Sequence, residues 1–332
     1  MMQSLIEGFR NQLQKAQEIG KSLTFTASAD PIQNVVIAGL GGSGIGGSLV
    51  EALMAPGLKV PVTVSKTYTV PQFINANTLF IACSFSGNTE ETLQALEVVQ
   101  SKGAKVFCVT SGGKLLEIAQ SKGYDYAQIP NEAPCPRAFL GYSLTQLLYA
   151  FKGYGLSDTE FETAYTETLQ LLENDLADIQ AKAKDLADAF YNHLPVVYSD
   201  THFAGVITRF QQQVNENSKQ LCHTHVLPEM NHNELVGWES GDAIREKTAV
   251  LLVRSGLDHE RVKIRMDICK PIFEEKAAKV LELSAKGESL ITQSYYLIHL
   301  LDWVSFYLAE KNGVDPFQVD IIMRLKGELA KI

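Results

Sequence analysis

Short apolar runs alternating with helical patterns constrain this chain more than any other feature. Val35-Val36-Ile37-Ala38 is rich in strand formers and too short for a stable helix. Similar runs follow at Val60 to Ser65, Leu79 to Cys83, Lys105 to Thr110 and Tyr126 to Ile129. Between most of them lie amphipathic stretches, Thr89 to Ser101 and Lys114 to Ser121 among them. Strands that alternate with helices call for a parallel sheet covered on both faces. In such sheets ligands gather beyond the carboxyl ends of the strands.

Two of those ends carry unusual turns. Leu79 to Cys83 runs into Ser84-Phe85-Ser86-Gly87-Asn88-Thr89, and Glu90 opens the next helix. Three hydroxyls, an amide and a glycine at a helix N-terminus offer free N–H groups, a positive dipole end and O–H donors. An anion fits there, and phosphate fits best. The plain alternative is an ordinary capped helix, since Ser, Asn and Thr cap well. A second such turn lies upstream, Gly39-Leu40-Gly41-Gly42-Ser43-Gly44, leading to a helix through Leu49 to Met54. Gly39, Gly41 and Gly44 spell GxGxxG, but the next strand ends in Ser65-Lys66-Thr67, without the carboxylate that holds a dinucleotide ribose. The glycines are better read as letting backbone approach a ligand, with Ser43 adding a hydroxyl.

Composition narrows the partners. The chain has 332 residues, 45% hydrophobic and 20% charged, which suits two globular domains. No apolar run reaches the ~20 residues that cross a bilayer. Met1 to Gly20 reads as one amphipathic helix without the apolar core of a secretory signal. Five cysteines without regular spacing fit free thiols in a reducing compartment, so a cytoplasmic protein with no membrane partner is expected. A net charge of −9 argues against nucleic acid, and any anion must be held by a designated pocket.

The first domain is expected over residues 1–153 and the second over 154–332, divided at Gly153-Tyr154-Gly155. Near the end of the first, Pro134 and Pro136 hold Arg137 at the start of a helix from Phe139 towards Tyr154. A guanidinium there could face the pocket; the alternative is a surface charge. Cys135 beside it is either a reactive thiol or a bystander. The second half opens with one long polar helix, Asp158 to about Asn192. Strands follow at Pro195 to Asp200, Thr248 to Val253 and Val280 to Leu283, with helices at Phe203–Lys219, His259–Phe273, Glu288–Lys311 and Pro316–Ala330. It reads as a worn copy of the first half, and Arg254-Ser255-Gly256 stands where a hydroxyl-rich turn belongs. One phosphate pocket is expected, in the first half.

The helix segment Asn215-Glu216-Asn217-Ser218-Lys219 carries a carboxylate among polar neighbours. His223, His225 and His232 fall within ten residues. His223 and His225 in an extended segment could face one ion, with Cys222 or His232 added. No second tight ligand pair accompanies them, and no metal is expected.

Gly41-Gly42-Ser43-Gly44, Ser84-Phe85-Ser86-Gly87-Asn88-Thr89, Pro136-Arg137, Asn215 to Lys219 and Asn231-His232-Asn233 occur in order, with Gly313-Val314-Asp315-Pro316 and Leu325-Lys326 beyond. Together they resemble the bifunctional phosphoglucose/phosphomannose isomerases, over nearly the whole chain. The resemblance implies an α/β fold of two sugar-isomerase (SIS) domains, each doubly wound around a mostly parallel sheet flanked by helices. It implies phosphate bound by Gly42, Ser43, Ser84, Ser86 and Thr89. It assigns Glu216 as the base between C1 and C2, and Arg137 as the stabiliser of the enediolate. His232 would open the sugar ring across a homodimer interface, and Lys326 would assist near the ring oxygen, with Lys311 its rival. Val319, where some relatives align a hydroxyl, bears on the balance between glucose and mannose phosphates.

The chemistry suits these residue types. Aldose–ketose isomerisation needs a carboxylate that takes and returns a carbon-bound proton beside a cation, plus an acid–base group for ring opening. Neither step needs a cofactor. The expected reaction is glucose 6-phosphate, with mannose 6-phosphate, to fructose 6-phosphate. A non-catalytic SIS sensor would need the phosphate turns without Glu216, His232 and Lys326. An amino-sugar isomerase would normally follow a glutamine-hydrolysing domain, whereas this chain begins Met1-Met2-Gln3.

Overall fold

The computed structural model describes residues 1–239, 241–329 and 331. The chain packs as two compact units. The first comprises Gly8–Glu173 and Ser289–Ile291; the second comprises Met1–Glu7, Asn174–Glu288 and Thr292–Ile332. The single amino-terminal helix expected over Met1 to Gly20 is two, α1 (Met2–Glu7) and α2 (Phe9–Ser22). The break is at Gly8, a residue that weakens a helix interior.

In the first unit, β1 (Asn34–Ala38) is followed by α3 (Gly41–Met54), β2 (Val62–Ser65), β3 (Thr78–Cys83) and α4 (Glu90–Gln100). Next come β4 (Lys105–Thr110), α5 (Gly113–Lys122), β5 (Asp125–Gln128), α6 (Leu140–Gly153) and α7 (Glu162–Asn174). The strands pair in parallel in the order β2-β1-β3-β4-β5, with Ile37 opposite both Val64 and Ile81. Sheet and helix share a core around Val36, Phe80, Leu96, Val106 and Leu115, all buried. Helix α6 is enclosed from Leu140 to Phe151, which explains its apolar character on every side. Helix α3 begins at Gly41, so the glycine cluster is the start of a helix and not a loop before one.

The first unit continues past Gly153, and the break falls at Glu173. Tyr154 shows why. Its ring packs edge-on against Phe25 at 5.1 Å and its hydroxyl donates to Asp125 at 2.5 Å.

The second unit contains α8 (Leu176–Phe190), β6 (Leu194–Asp200), α9 (Ala204–Ser218), β7 (His223–Leu227), α10 (Glu234–Gly237) and α11 (Asp242–Arg245). It continues through β8 (Thr248–Arg254), α12 (Glu260–Lys276), β9 (Lys279–Ser284), α13 (Leu290–Lys311) and α14 (Asp320–Leu329). The long polar helix expected from Asp158 is thus α7 and α8, separated at Asp175. Its four strands are also parallel, in the order β7-β6-β8-β9. Val196, Tyr198, Val250, Leu252, Met266 and Phe273 form its core. In both sheets the first strand sends the chain to one side and then to the other. The expected α/β fold of two doubly wound domains is the one observed. Among the described residues, no helix is long and apolar enough to cross a membrane.

Candidate active site

The carboxyl ends of β1 and β3 hold the two hydroxyl-rich turns. In neither α3 nor α4 does the N-cap side chain accept from the first N–H groups of the helix. Ser43 Oγ accepts from the backbone N–H of Phe85 at 3.2 Å, and Ser86 Oγ accepts from that of Asn88 at 3.2 Å. Ser84 Oγ and Thr89 Oγ1 share one hydrogen bond of 2.8 Å. A hydroxyl has one hydrogen to give and two lone pairs to receive. Four hydroxyls less the one hydrogen spent between Ser84 and Thr89 leave three O–H donors for a ligand. Two helix dipoles and three hydroxyl donors make an anion cradle.

Glycine is required here for close approach. Gly87 sits at φ +68°, and a Cβ on it would lie 1.8 Å from the carbonyl oxygen of Gly112. A Cβ on Gly44 would meet the Gly39 carbonyl at 2.4 Å. Over this packed corner lies the 3-10 turn Pro136–Phe139, with the Arg137 Cα 3.5 Å from where a Gly42 side chain would begin. Phe139 stacks on Phe85, ring centroids 5.3 Å apart and planes 4° from parallel. Arg137 is buried, with its backbone beside the cradle. Lys66 also borders the cradle, donating to Ser48 Oγ at 3.1 Å, with its Cε 3.5 Å from a Cβ position on Gly44. Where a dinucleotide site would carry an acid, this chain carries a base.

In the second unit, Glu216 occupies the last turn of α9, half-buried. It lines a cleft of ≈ 600 Å³ with Asn215, Lys219, Asp315, Gln318 and Val319. Lys219 closes the helix in a left-handed conformation, φ 54°. Its Nζ donates to the carbonyls of Glu216, Asp315 and Gln318, each at 2.7 Å, so one ammonium clips the end of α9 to the turn before α14. Behind the cleft, Arg209 Nη2 meets Asp302 at 2.7 Å, Gln213 donates to the same carboxylate at 3.0 Å, and Asn217 donates to Ser305 at 2.9 Å. These buried bonds fix α9 against α13.

His232 is exposed in the turn Glu229–His232 and does not line the Glu216 cleft. Its neighbours hold that turn. Asn231 receives a bond from Arg265 at 3.3 Å, and Asn233 Oδ1 caps α10 by accepting from the N–H of Glu234 at 2.6 Å. Lys326 lies on α14, whose described side chains are all exposed, and it also stands outside the cleft. Lys311 is committed to an ion pair with Asp188. Cys135 is buried, as are Cys83, Cys108, Cys222 and Cys269, and all five are free thiols. Burial pushes Cys108 and Cys222 up to about 12. Cys135 is thus enclosed beside the pocket and does not present a thiol to it.

His223 and His225 do converge, but on Glu234 and not on Cys222 or His232. Glu234 binds His223 Nε2 at 3.0 Å, His225 Nδ1 at 2.6 Å and the Tyr198 hydroxyl at 2.6 Å. Burial would raise this carboxyl, but the bonds from His223, Tyr198 and His225 outweigh it and hold Glu234 at about 2. His223 moves up, drawn by its bond to Glu234 against a smaller burial effect.

Sequence reasoning missed three features. The Arg209–Gln213–Asn217 series was available as polar residues at every fourth position, one helix stripe. Glu234 gave no signal, because its partners come from two strands. Lys219 reads as a solvated helix end until the 313–318 turn is folded against it.

Residues 31–127 match the SIS domain family, and residues 179–329 match the bacterial phospho-glucose isomerase C-terminal SIS domain. The chain is 39% identical to the bifunctional phosphoglucose/phosphomannose isomerase of Aquifex aeolicus over 98% of both chains. It is 39% identical to that of Caldicellulosiruptor bescii over 97% of this chain and 96% of that one. Its fold is also that of the C-terminal domain of glucosamine-fructose-6-phosphate aminotransferase from Francisella tularensis, with a TM-score of 0.73 at 13% identity, covering 96% of this chain and 98% of that one. Two SIS domains and full-length identity of this order establish that the chain belongs to the bifunctional phosphoglucose/phosphomannose isomerase family.

Proposed function

We propose that this chain interconverts glucose 6-phosphate, and also mannose 6-phosphate, with fructose 6-phosphate through a cis-enediolate, without a metal in the proton transfer. The observation that carries the reading is Glu216: a half-buried carboxylate on the wall of a cleft, on a helix pinned by Lys219 and by buried bonds to α13. The phosphate is assigned to Gly42, Ser43, Ser84, Ser86 and Thr89, whose free donors suit a dianion. Anchoring a non-reacting group orients the carbons that react.

Glu216 takes the proton from C2 of the open-chain aldose and returns it to C1. Arg137 stabilises the charge that develops on the enediolate oxygens. His232 opens the ring as acid–base group, donated by a second copy in a homodimer, and Lys326 assists at the ring oxygen. Five buried free thiols suit the cytoplasm.

Glu216→Gln tests the assignment. Turnover on glucose and mannose 6-phosphates should fall by roughly three orders of magnitude or more, while fructose 6-phosphate still binds. Near-wild-type turnover would remove Glu216 as the base, and a wild type that binds sugar phosphates without turnover would make this a sensor. Chelator, assayed well below the melting temperature, should leave the rate unchanged.

A further inference from the structure

The second unit repeats the branching of the first, with β6 and β8 in the places of β1 and β3. Beyond the carboxyl ends of such a pair, doubly wound sheets hold their ligands. The first unit fills that place with glycines and hydroxyls; the second fills it with acid. Asp200 is the last residue of β6, His202 follows two residues later, and Asp258 lies just past β8. One donor atom from each lies within 4.8 Å of the other two.

Each carboxylate has one oxygen engaged by the main chain. His259 N–H donates to Asp200 Oδ2 at 3.0 Å, and Ser255 N–H donates to Asp258 Oδ2 at 2.7 Å. The remaining oxygens face the imidazole of His202. Asp200 Oδ1 is 3.6 Å from Nδ1 and Asp258 Oδ1 is 3.3 Å from Nε2. The second contact is not aligned as a hydrogen bond: Asp258 Oδ1 and His202 Nε2 are both buried atoms with no hydrogen-bond partner. The Asp258 side chain is 1% exposed. Among the described residues, no Lys or Arg stands within ion-pair distance of either carboxylate.

We propose that Asp200, His202 and Asp258 form a binding site for one divalent transition cation of the Mn²⁺ or Zn²⁺ class. Two carboxylates and an imidazole are the donors such ions take, usually with water completing the shell. Metal–ligand distances of about 2.0–2.2 Å place neighbouring donors roughly 3–4.4 Å apart; an ion takes one imidazole nitrogen, so the carboxylate that faces the other nitrogen must close in from within 4.8 Å. A dication neutralises both acids, and it supplies the partner that Asp258 Oδ1 lacks. The corresponding ends of the two sheets then select ions of opposite sign. The cation ties β6 to β8 just before α9, a structural role separate from proton transfer at Glu216.

Full-length protein stripped with chelator and dialysed is titrated with MnCl₂ by calorimetry and electron paramagnetic resonance, and its melting is followed with Mn²⁺ or Zn²⁺. Wild type should bind one Mn²⁺ per chain and melt several degrees higher with the ion. Asp258→Asn keeps its bond to Ser255 and should weaken binding by about 100-fold or more and abolish the melting shift, as should Asp200→Asn. His225→Ala, which disrupts the partly buried His223–His225–Glu234 cluster, should change neither. No stoichiometric binding by the wild type overturns the proposal. Binding that survives both aspartate substitutions, or that His225→Ala removes, overturns it as well.

Discussion

The hydroxyl of Ser43 receives the backbone N–H of Phe85 at 3.2 Å, joining positions 42 residues apart in sequence. That bond sets the first glycine turn against the second. Because Ser43 is the acceptor, its own hydrogen stays available for a phosphate oxygen. One side chain therefore holds the cradle together and lines it. On the far side of Phe85, the stack with Phe139 holds Arg137 at the same corner.

Removing a hydroxyl from the cradle should show in substrate affinity. Ser84→Ala deletes half of the Ser84–Thr89 pair and one potential donor to the phosphate. Hydrogen bonds to a charged group contribute about 1.5–3 kcal/mol, so KM for glucose 6-phosphate should rise roughly 10- to 100-fold. Turnover at saturation should stay within about threefold of wild type if the lost binding is uniform. Steady-state kinetics on both hexose phosphates separates the two parameters.

Gly87→Ala should fail for a different reason. A side chain would be forced into φ +68° and into the Gly112 carbonyl at 1.8 Å. Destabilisation of about 2 kcal/mol or more is expected from strain and clash together. Gly123→Ala has the same kind of backbone, φ +67°, with nothing within 4 Å. It should lose only the left-handed term, about 1–2 kcal/mol. Urea unfolding of the pair isolates the contact.

Lys219→Met should uncouple Glu216 from its setting without removing it. Three carbonyls lose one shared donor, and the turn at Asp315–Gln318 loses its tie to Glu216. We expect kcat to fall at least tenfold, roughly the effect of losing one charge-assisted hydrogen bond. Proteolytic nicking near residue 315 should accelerate. An unchanged kcat with faster nicking would restrict Lys219 to stability.

The Glu234 cluster should leave a signature in the pH dependence of stability. Glu234 is held near 2, below its ordinary 4.5, so its stabilisation is present above about pH 4.5 and fades as pH falls towards 2. His223 is shifted upward from 6.5, so its share is present below that pH and is lost as pH rises through the shifted value. The stability gap between wild type and Glu234→Gln should be widest between about pH 4.5 and 6.5. A gap that is flat from pH 3 to 9 would show that the bonds form equally in the unfolded chain.

Local pattern sufficed for the strands that bury both faces. Val35 to Ala38 and Lys105 to Thr110 are apolar enough that no competing element fits them. Strand β7 was read only as extended, because His-Thr-His-Val-Leu is half exposed at a sheet edge and lacks the apolar alternation of a buried strand. The pattern makes the glycine cluster a turn that leads to a helix at Leu49, yet Gly41 already opens α3, where packing against the Gly39 carbonyl and the Arg137 backbone overrides the low helical preference of glycine. The hydroxyl turns are legible because their donors are adjacent in sequence. The fastening of Glu216 was not, since Lys219 meets Asp315 only after ninety-six residues of chain have folded back.

The enclosed cysteines make the molecule its own reporter. With all five thiols beneath the surface, an alkylating reagent gains access only when a molecule opens. Labelling kinetics would therefore track opening of each unit separately, through Cys83, Cys108 and Cys135 in one and Cys222 and Cys269 in the other, with no introduced probe.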